Sequence, residues 1–380
     1  MFRNCDAQFT RTKTCTSENI KVDDICNMRN ANKTLKHACL EGNIYIIDRI
    51  LKKQGIKNIN LNTFFYNACV GGNIYVVNMI IDHVRLQQNT DEWRESLRDA
   101  FFTGHHKGQN RGIAGSQQGV NDWNGGLEGA CLGGHRDLVM LMIERGANYW
   151  NRGLDGACEG GHLDLVMLMI ERGADDWNNG LLSACKGGNR DLVTLMIERG
   201  AHCWNWGLCG ACRGGHIDLV MLMIERGADD WNSGLDAACF GGHLDFADLM
   251  IERGAHDLNT GLQSACLGGH FDLVMRMIDH AGQQRGANDW NQGLYFACEG
   301  GHLDIVMLMI KRGANDWNGG LFFACLGGYL DMVDLMIERG ADDWNNGLGG
   351  ACEGGHHDIE ELMIARCAND WKVGLDGAED

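Results

Sequence analysis

One unit of 27 residues recurs through most of the chain, and this periodicity restricts the possible folds more than any other feature. With His162 as anchor, the equivalent positions are Asn43, Asn73, His105, His135, Asn189, His216, His243, His270, His302, Tyr329 and His356, twelve copies in all. The central spacing is 27 residues, with longer steps near the amino terminus and one of 32 between His270 and His302. The second half of a unit, Asp164 to Ala174, carries leucine, valine, methionine and isoleucine around most of a helix barely three turns long. Such a helix cannot bury its apolar surface alone and needs like neighbours on both sides. The expected architecture is a quasi-one-dimensional stack of helix pairs.

Within a unit, Trp177 to Lys186 reads as a first helix and Asp164 to Arg172 as a second. Asparagine follows the tryptophan position in eleven copies, where its side-chain oxygen is expected to cap the first helix. Paired glycines end that helix, and Gly173 ends the second, with Asp164 and Arg172 at the ends the helix dipole prefers. Met169 and its equivalents do not vary between regular copies and are assigned to the core. The position two before it alternates between Met167, Thr194, Met221, Asp248, Met307 and Asp334, so it is expected to be half exposed.

The pattern divides the chain into an N-terminal segment or cap (1–33), first repeats (34–103), a degenerate repeat, loop or hinge (104–120), and the main array (121–380). Gly104 to Gly119 is rich in Gly, Gln, Asn and His, which leaves a second helix nothing to bury. Gly374 to Asp380 begins another first helix and stops, which suggests a half-repeat cap.

Apolar runs reach only about six residues, far short of a membrane span, and Met1 to Cys15 is polar. These features predict a cytoplasmic protein that is not secreted. Of 17 cysteines, eleven fill one repeat position after alanine and read as small buried hydrophobes. The net charge of −18 argues against nucleic acid, which needs a basic stripe, and favours basic partners.

The string Leu-x-x-Ala-Cys-x-Gly-Gly-His-x-Asp-Leu-Val-x-Leu-Met-Ile-x-x-Gly-Ala resembles the ankyrin repeat over residues 34 to 376. The Gly-Gly-His-x-Asp-Leu-Val and Gly-Ala-Asp-Asp-Trp-Asn strings are most similar to the expanded ankyrin sets of large amoeba-infecting DNA viruses, which would place the protein in host cytoplasm. The resemblance implies an all-α, ankyrin-like solenoid and a non-catalytic scaffold that binds a protein on a concave first-helix face. It departs in length: ankyrin units have about 33 residues and usually a Thr-Pro-Leu-His start. This chain has no proline and six fewer residues per unit, so tight loops should replace the β-hairpin fingers. Viral ankyrin proteins also serve as ubiquitin-ligase substrate adaptors, but no F-box is evident in 1–33 or after Trp371; a structural role in a virion is the other alternative.

No nucleophile with a base, phosphate loop or carboxylate pair stands apart from the repeat, so no enzyme, cofactor or small-molecule substrate is expected, and the chain should be monomeric. Cys158 and His162 are four apart, but glycines intervene and the histidine position accepts Asn189 and Tyr329, so no ladder of metal sites is expected. His202, Cys203, Cys209, Cys212 and His216 include half of a zinc-type spacing, yet Cys212 and His216 are ordinary repeat residues. The tryptophan column is either a ladder of binding aromatics or packing between loops; Leu61 and Leu258 within it favour packing. Binding specificity should lie where copies differ. The second residue after Leu and the residue after Cys are expected to share the binding face. The predicted contact residues are Lys186, Arg213, Phe240, Leu267, Tyr295, Phe296, Phe322, Phe323 and Leu326. Five-residue extensions after Ile81-Asp82-His83 and Ile278-Asp279-His280 are expected to project longer loops that also make contacts.

Overall fold

The computed structural model describes residues 31–44, 46–47, 61–87, 122–279 and 287–376, which form 21 α-helices and no strand. Helix α1 is Ala31–Glu41, α2 Leu61–Val70 and α3 Ile74–Gln87. Regular pairs follow: α4 Trp123–Gly133 with α5 Arg136–Glu144, α6 Trp150–Gly160 with α7 Leu163–Arg172, α8 Trp177–Lys186 with α9 Arg190–Arg199, and α10 Trp204–Gly214 with α11 Ile217–Glu225. Next come α12 Trp231–Gly241 with α13 Leu244–Arg253, α14 Leu258–Gly268 with α15 Phe271–Asp279, and α16 Trp290–Gly300 with α17 Leu303–Arg312. The last pairs are α18 Trp317–Gly327 with α19 Leu330–Glu338 and α20 Trp344–Gly354 with α21 His357–Asp376. Each first helix packs on the next first helix and each second helix on its own first helix, which makes an all-α repeat solenoid.

The core is one continuous column set. Leu181, Ala184 and Cys185 of α8 meet Leu192, Val193 and Met196 of α9, all buried, and the same positions are buried in copy after copy. Every methionine of the column, Met142 through Met363, is fully buried. Its fit depends on a bare glycine in the first helix: a Cβ on Gly180 would lie 2.6 Å from Met196 Sδ. The cysteines of the repeat column from Cys39 to Cys325 are buried thiols, and burial pushes most of them, Cys185 among them, up to about 12.

The helix join uses its two glycines for different reasons. A Cβ on Gly187 would sit 2.0 Å from the carbonyl oxygen of Glu159, so this glycine lets adjacent first helices touch backbone to backbone. Gly188 has φ +75, the left-handed conformation that turns the chain into the second helix. The anchor residue then ties the new unit to the preceding one. His216 Nε2 bonds the Lys186 carbonyl at 3.2 Å, His270 the Phe240 carbonyl at 3.0 Å and His302 the Leu267 carbonyl at 3.1 Å. Asn189 is accepted at this position because its amide makes the same bond, at 3.1 Å to the Glu159 carbonyl, and a second at 2.9 Å to the Cys158 carbonyl.

The asparagine column does something other than cap its own helix. Caps on the first helices are the aspartates before the tryptophan: Asp122 accepts from Gly125 N at 2.8 Å and Asp343 from Asn346 N at 3.0 Å. Asn151, one residue inside the helix, reaches forward instead. Its Oδ1 accepts the backbone N–H groups of Asp175 at 2.8 Å and Asp176 at 3.1 Å in the next inter-repeat loop. Asn178, Asn205, Asn232, Asn291 and Asn318 repeat this geometry. Tyr149 and Cys203 replace the capping aspartate and make no side-chain cap, while Asn151 and Asn205 keep their forward bonds.

Three other expectations meet the structure differently. The extension after Ile81 continues α3 as helix to Gln87 rather than forming a loop, and its polar residues satisfy their backbone within the helix. The second extension, near 280–286, and the segments 1–30 and 104–120 lie outside the described residues. The carboxy-terminal half repeat is not a new first helix: Cys367 replaces the terminating glycine, and α21 runs on to Asp376. At the amino-terminal end of the main array, α2 packs directly on α4, with Phe65 and Trp123 edge to face at 5.5 Å and His135 Nε2 on the Val70 carbonyl at 3.0 Å. The stack therefore steps from the second copy straight to the copy that begins at Trp123.

Candidate functional site

The first helices leave one line of residues open to solvent, and its register is set by how closely those helices approach. In α8 the half-buried line is Asn179, Leu182 and Lys186, while Ser183 is buried. The second residue after Leu thus faces the neighbouring first helix, not solvent. Small residues fill it where the helices touch: a Cβ on Gly210 would lie 2.2 Å from the Leu182 carbonyl oxygen. The open face therefore combines the first residue after Leu with the residue after Cys, spaced i, i+4. Of the nine predicted contact residues, Lys186, Arg213, Phe240, Leu267, Tyr295, Phe322 and Leu326 lie on this line, whereas Phe296 and Phe323 occupy the inter-helix position.

Those two phenylalanines are too large for a close approach, and an aromatic cluster forms around them. Phe323 stacks on Tyr295 at 5.2 Å and 5°, meets Phe322 edge to face at 5.2 Å, and lies 5.6 Å from Phe296. All four rings are half-buried. Tyr295 also donates its hydroxyl to Asp316, the cap of α18, whose other oxygen accepts from Gly319 N at 3.0 Å. Burial and then this carboxylate push the Tyr295 hydroxyl well above the usual tyrosine range. The result is a rigid aromatic surface across α16 and α18, with Leu326 beside it. Glu299 and Glu353 flank Leu326 along the same column, and burial followed by the charge of Glu353 raises the Glu299 carboxyl.

Towards the amino terminus the line is charged. Lys186 pairs with Glu159 at 2.7 Å, Arg152 with Glu128 at 2.7 Å, and the exposed Arg213 lies over the Phe240 ring at 4.0 Å. Asp155 sits among Glu128, Glu159 and Asp176, with its Oδ1 shielded and without a hydrogen-bond partner. Burial, then Asp176 and Glu128, push its carboxyl up to about 7 against the opposing pull of Arg152.

Trp206 completes the open face and escaped the sequence argument. It is 46% exposed, the most exposed tryptophan among the described residues, at a position where the other copies from Trp123 to Trp344 carry Gly, Arg, Asn, Ser, Thr or Gln. Its signal was that it stands outside the tryptophan column. The column itself is structural: each member from Trp123 to Trp344 is half-buried on the core beneath the arginine that ends its own second helix, as Trp150 lies under Arg172 at 5.6 Å and Trp344 under Arg366 at 5.5 Å.

The cysteines singled out near 203–216 are dispersed. Cys212 is core, Cys209 is half-buried with its thiol pushed up to about 11 by burial, and Cys203 stands at the start of α10. His216 spends Nε2 on Lys186, and His202 Nδ1 contacts the Gly200 carbonyl at 3.1 Å. Among the described residues no three His, Cys, Asp or Glu side chains converge as a metal site, and no helix is long and apolar enough to cross a membrane.

No curated protein matches the chain. The family described as ankyrin repeats (3 copies) matches residues 235–316 and, overlapping, 262–347. These stretches span α12 to α19, including the aromatic cluster. Ankyrin repeats are generally protein–protein interaction modules, and the similarity to them covers the part of the solenoid between residues 235 and 347.

Proposed function

We propose that the protein is a non-catalytic scaffold that binds a protein partner along its first-helix face, centred on Tyr295, Phe322 and Leu326. The observation that carries this reading is the cluster of four aromatic rings around Phe323, where Leu182, Phe240 and Leu267 stand singly elsewhere on the line. A rigid aromatic platform loses little entropy on binding and supplies large contact area, which is the composition of interface hot spots. Lys186, Arg213, Phe240, Leu267 and the exposed Trp206 extend the surface towards the amino terminus. Phe296 and Phe323 hold the platform from behind.

The test is quantitative affinity capture from cell lysate, comparing the native chain with a Phe322→Glu, Leu326→Glu double variant that keeps its circular dichroism spectrum. The double variant should lose a specific protein that the native chain retains. If both capture the same proteins in the same amounts, the aromatic cluster is inter-repeat packing alone and the reading fails. The identity of the captured protein would also separate a substrate adaptor from a virion component.

A further inference from the structure

The second helices present a surface that the stack does not use. In α7, Leu163, Met167 and Glu171 fall at i, i+4 and i+8, on the side away from the buried Leu165, Val166 and Met169. Leu163 is 54% exposed and Met167 37%; further along, Ile217 is 51%, Met221 39%, Leu303 51% and Met307 43%. Leu244 and Phe271 carry the band across the helices between. The fold does not require these side chains. Arg190 stands in the leucine position, and Thr194, Asp248 and Asp334 in the methionine position, yet α9, α13 and α19 bury the same three positions as α7. Large apolar side chains placed repeatedly in solvent without a packing role mark a contact surface.

Charge says what it contacts. One edge of the band is the row of first-turn aspartates, Asp164 and its equivalents, exposed from Asp137 to Asp331. The other edge is Glu171 and its equivalents, acidic from Glu144 to Glu338 except where Lys311 stands and replaced by Ala365 in the last unit. The arginines that follow are turned away onto tryptophan rings, as Arg226 is on Trp204 at 5.5 Å. A second copy of this chain, at net charge −18, would set acidic edge against acidic edge, and an anionic lipid surface would be repelled in the same way. Methionine is flexible and polarisable, suited to receive side chains of varied shape.

We propose that the second-helix face binds a basic amphipathic helix of a partner protein, its apolar side on the methionine band and its lysines or arginines against the two acidic rows. A helix of about 18 residues is ~27 Å long, enough to cross roughly three second helices at ~10 Å spacing. The band from Ile217 to Met307 supplies that length. This surface is separate from the first-helix face, so either can fail without the other.

The probe is a synthetic amphipathic helix of leucine and lysine, with a second peptide of the same composition permuted so that no apolar side forms. Affinities for the full chain are read by fluorescence anisotropy. The native chain should bind the amphipathic peptide and bind the permuted one at least about tenfold more weakly. A Met221→Thr, Met275→Thr, Met307→Thr variant copies the residue that Thr194 already places there, so it keeps the fold, and should lose about tenfold or more in affinity. The Phe322→Glu, Leu326→Glu variant should bind as the native chain does. Equal binding of the two peptides, or an unchanged triple variant, overturns the proposal. So does loss of binding in the first-helix variant, which would place the peptide on the other face. Sedimentation is the remaining control: dimers of the native chain that the triple variant abolishes would mean that the band is covered by a second copy.

Discussion

Replacing Gly187 with alanine should split the array at one interface. The residue has ordinary right-handed backbone, φ −76, so the methyl group brings no conformational strain of its own. It would, however, lie 2.0 Å from the carbonyl oxygen of Glu159, a backbone atom in the last turn of α6 that accepts from Asn189 Nδ2 at 3.1 Å. A carbon needs ~3.3 Å from a carbonyl oxygen. The first helices α6 and α8 must therefore separate locally by roughly 1.3 Å, the difference between that contact distance and 2.0 Å. A gap of this size forfeits half or more of the dispersion energy of the atoms on either side. It also stretches the Asn189 bonds to the Cys158 and Glu159 carbonyls, which are 2.9 and 3.1 Å long. The combined cost is ~3 kcal/mol, at the upper end of ordinary overpacking. Because a solenoid is stabilised by nearest-neighbour interfaces, the loss falls on one junction. Urea unfolding followed by tryptophan fluorescence should change from one transition to two, with amide exchange accelerating first on the side of the weaker fragment. The control is Gly200→Ala, where φ is +114 and no atom lies within 4 Å of the added carbon. That variant should lose ~1–2 kcal/mol of stability to backbone strain without splitting the transition. Equal effects of the two substitutions would refute the close-approach argument.

Further expectations follow from the same geometry. Asn151→Ala removes the acceptor of two backbone N–H groups in the next loop and should cost ~1–2 kcal/mol, with exchange increasing at Asp175 and Asp176 rather than at the start of α6; faster exchange confined to α6 would restore the capping role. Asp176→Ala removes a true cap and should cost ~1 kcal/mol in urea denaturation, an effect that neither Tyr149 nor Cys203 can show. Asp155 has a folded-state pKa raised from 3.8 to about 7, so its contribution to stability is fully present below pH 4 and is lost as pH rises towards 7. Asp155→Asn should then raise the melting temperature at pH 8 and leave it unchanged at pH 3; a loss of stability at pH 8 would contradict the assignment. Cys367→Gly reinstates the terminator of the regular unit and should abolish amide protection between 369 and 376 while sparing Met363.

Much of this was legible in the chain because periodicity reports burial directly. The methionine and cysteine columns could be assigned from their constancy, the tryptophan column from its tolerance of Leu61 and Leu258, and the exposed Met167 column from its tolerance of Thr194 and Asp248. The asparagine column misled because a residue of capping type stood one place inside the helix; the real cap, aspartate, was one residue before the tryptophan. The decisive clue was present, since Tyr149 and Cys203 abandon the aspartate while the asparagine persists. The open line of the first helices was misplaced by one residue for a related reason. Spacings of three and four both align side chains on a helix, and only the glycines at 129, 156, 210 and 350 betray which line touches a neighbour. Contacts between units, such as the histidine bonds to preceding carbonyls, have no signature within one unit.

The forward reach of asparagine and the backward reach of histidine also determine how such a chain can change in length. Asn259 meets residues 29 and 30 positions ahead where its counterparts meet those 24 and 25 ahead, so the inserted residues leave the junction unaltered. Each unit carries one donor half and one acceptor half of every junction. Duplication or deletion of a whole unit therefore joins a matched pair of ends, and a gene of this kind can lengthen or shorten by recombination between its own copies without any step that requires a compensating substitution.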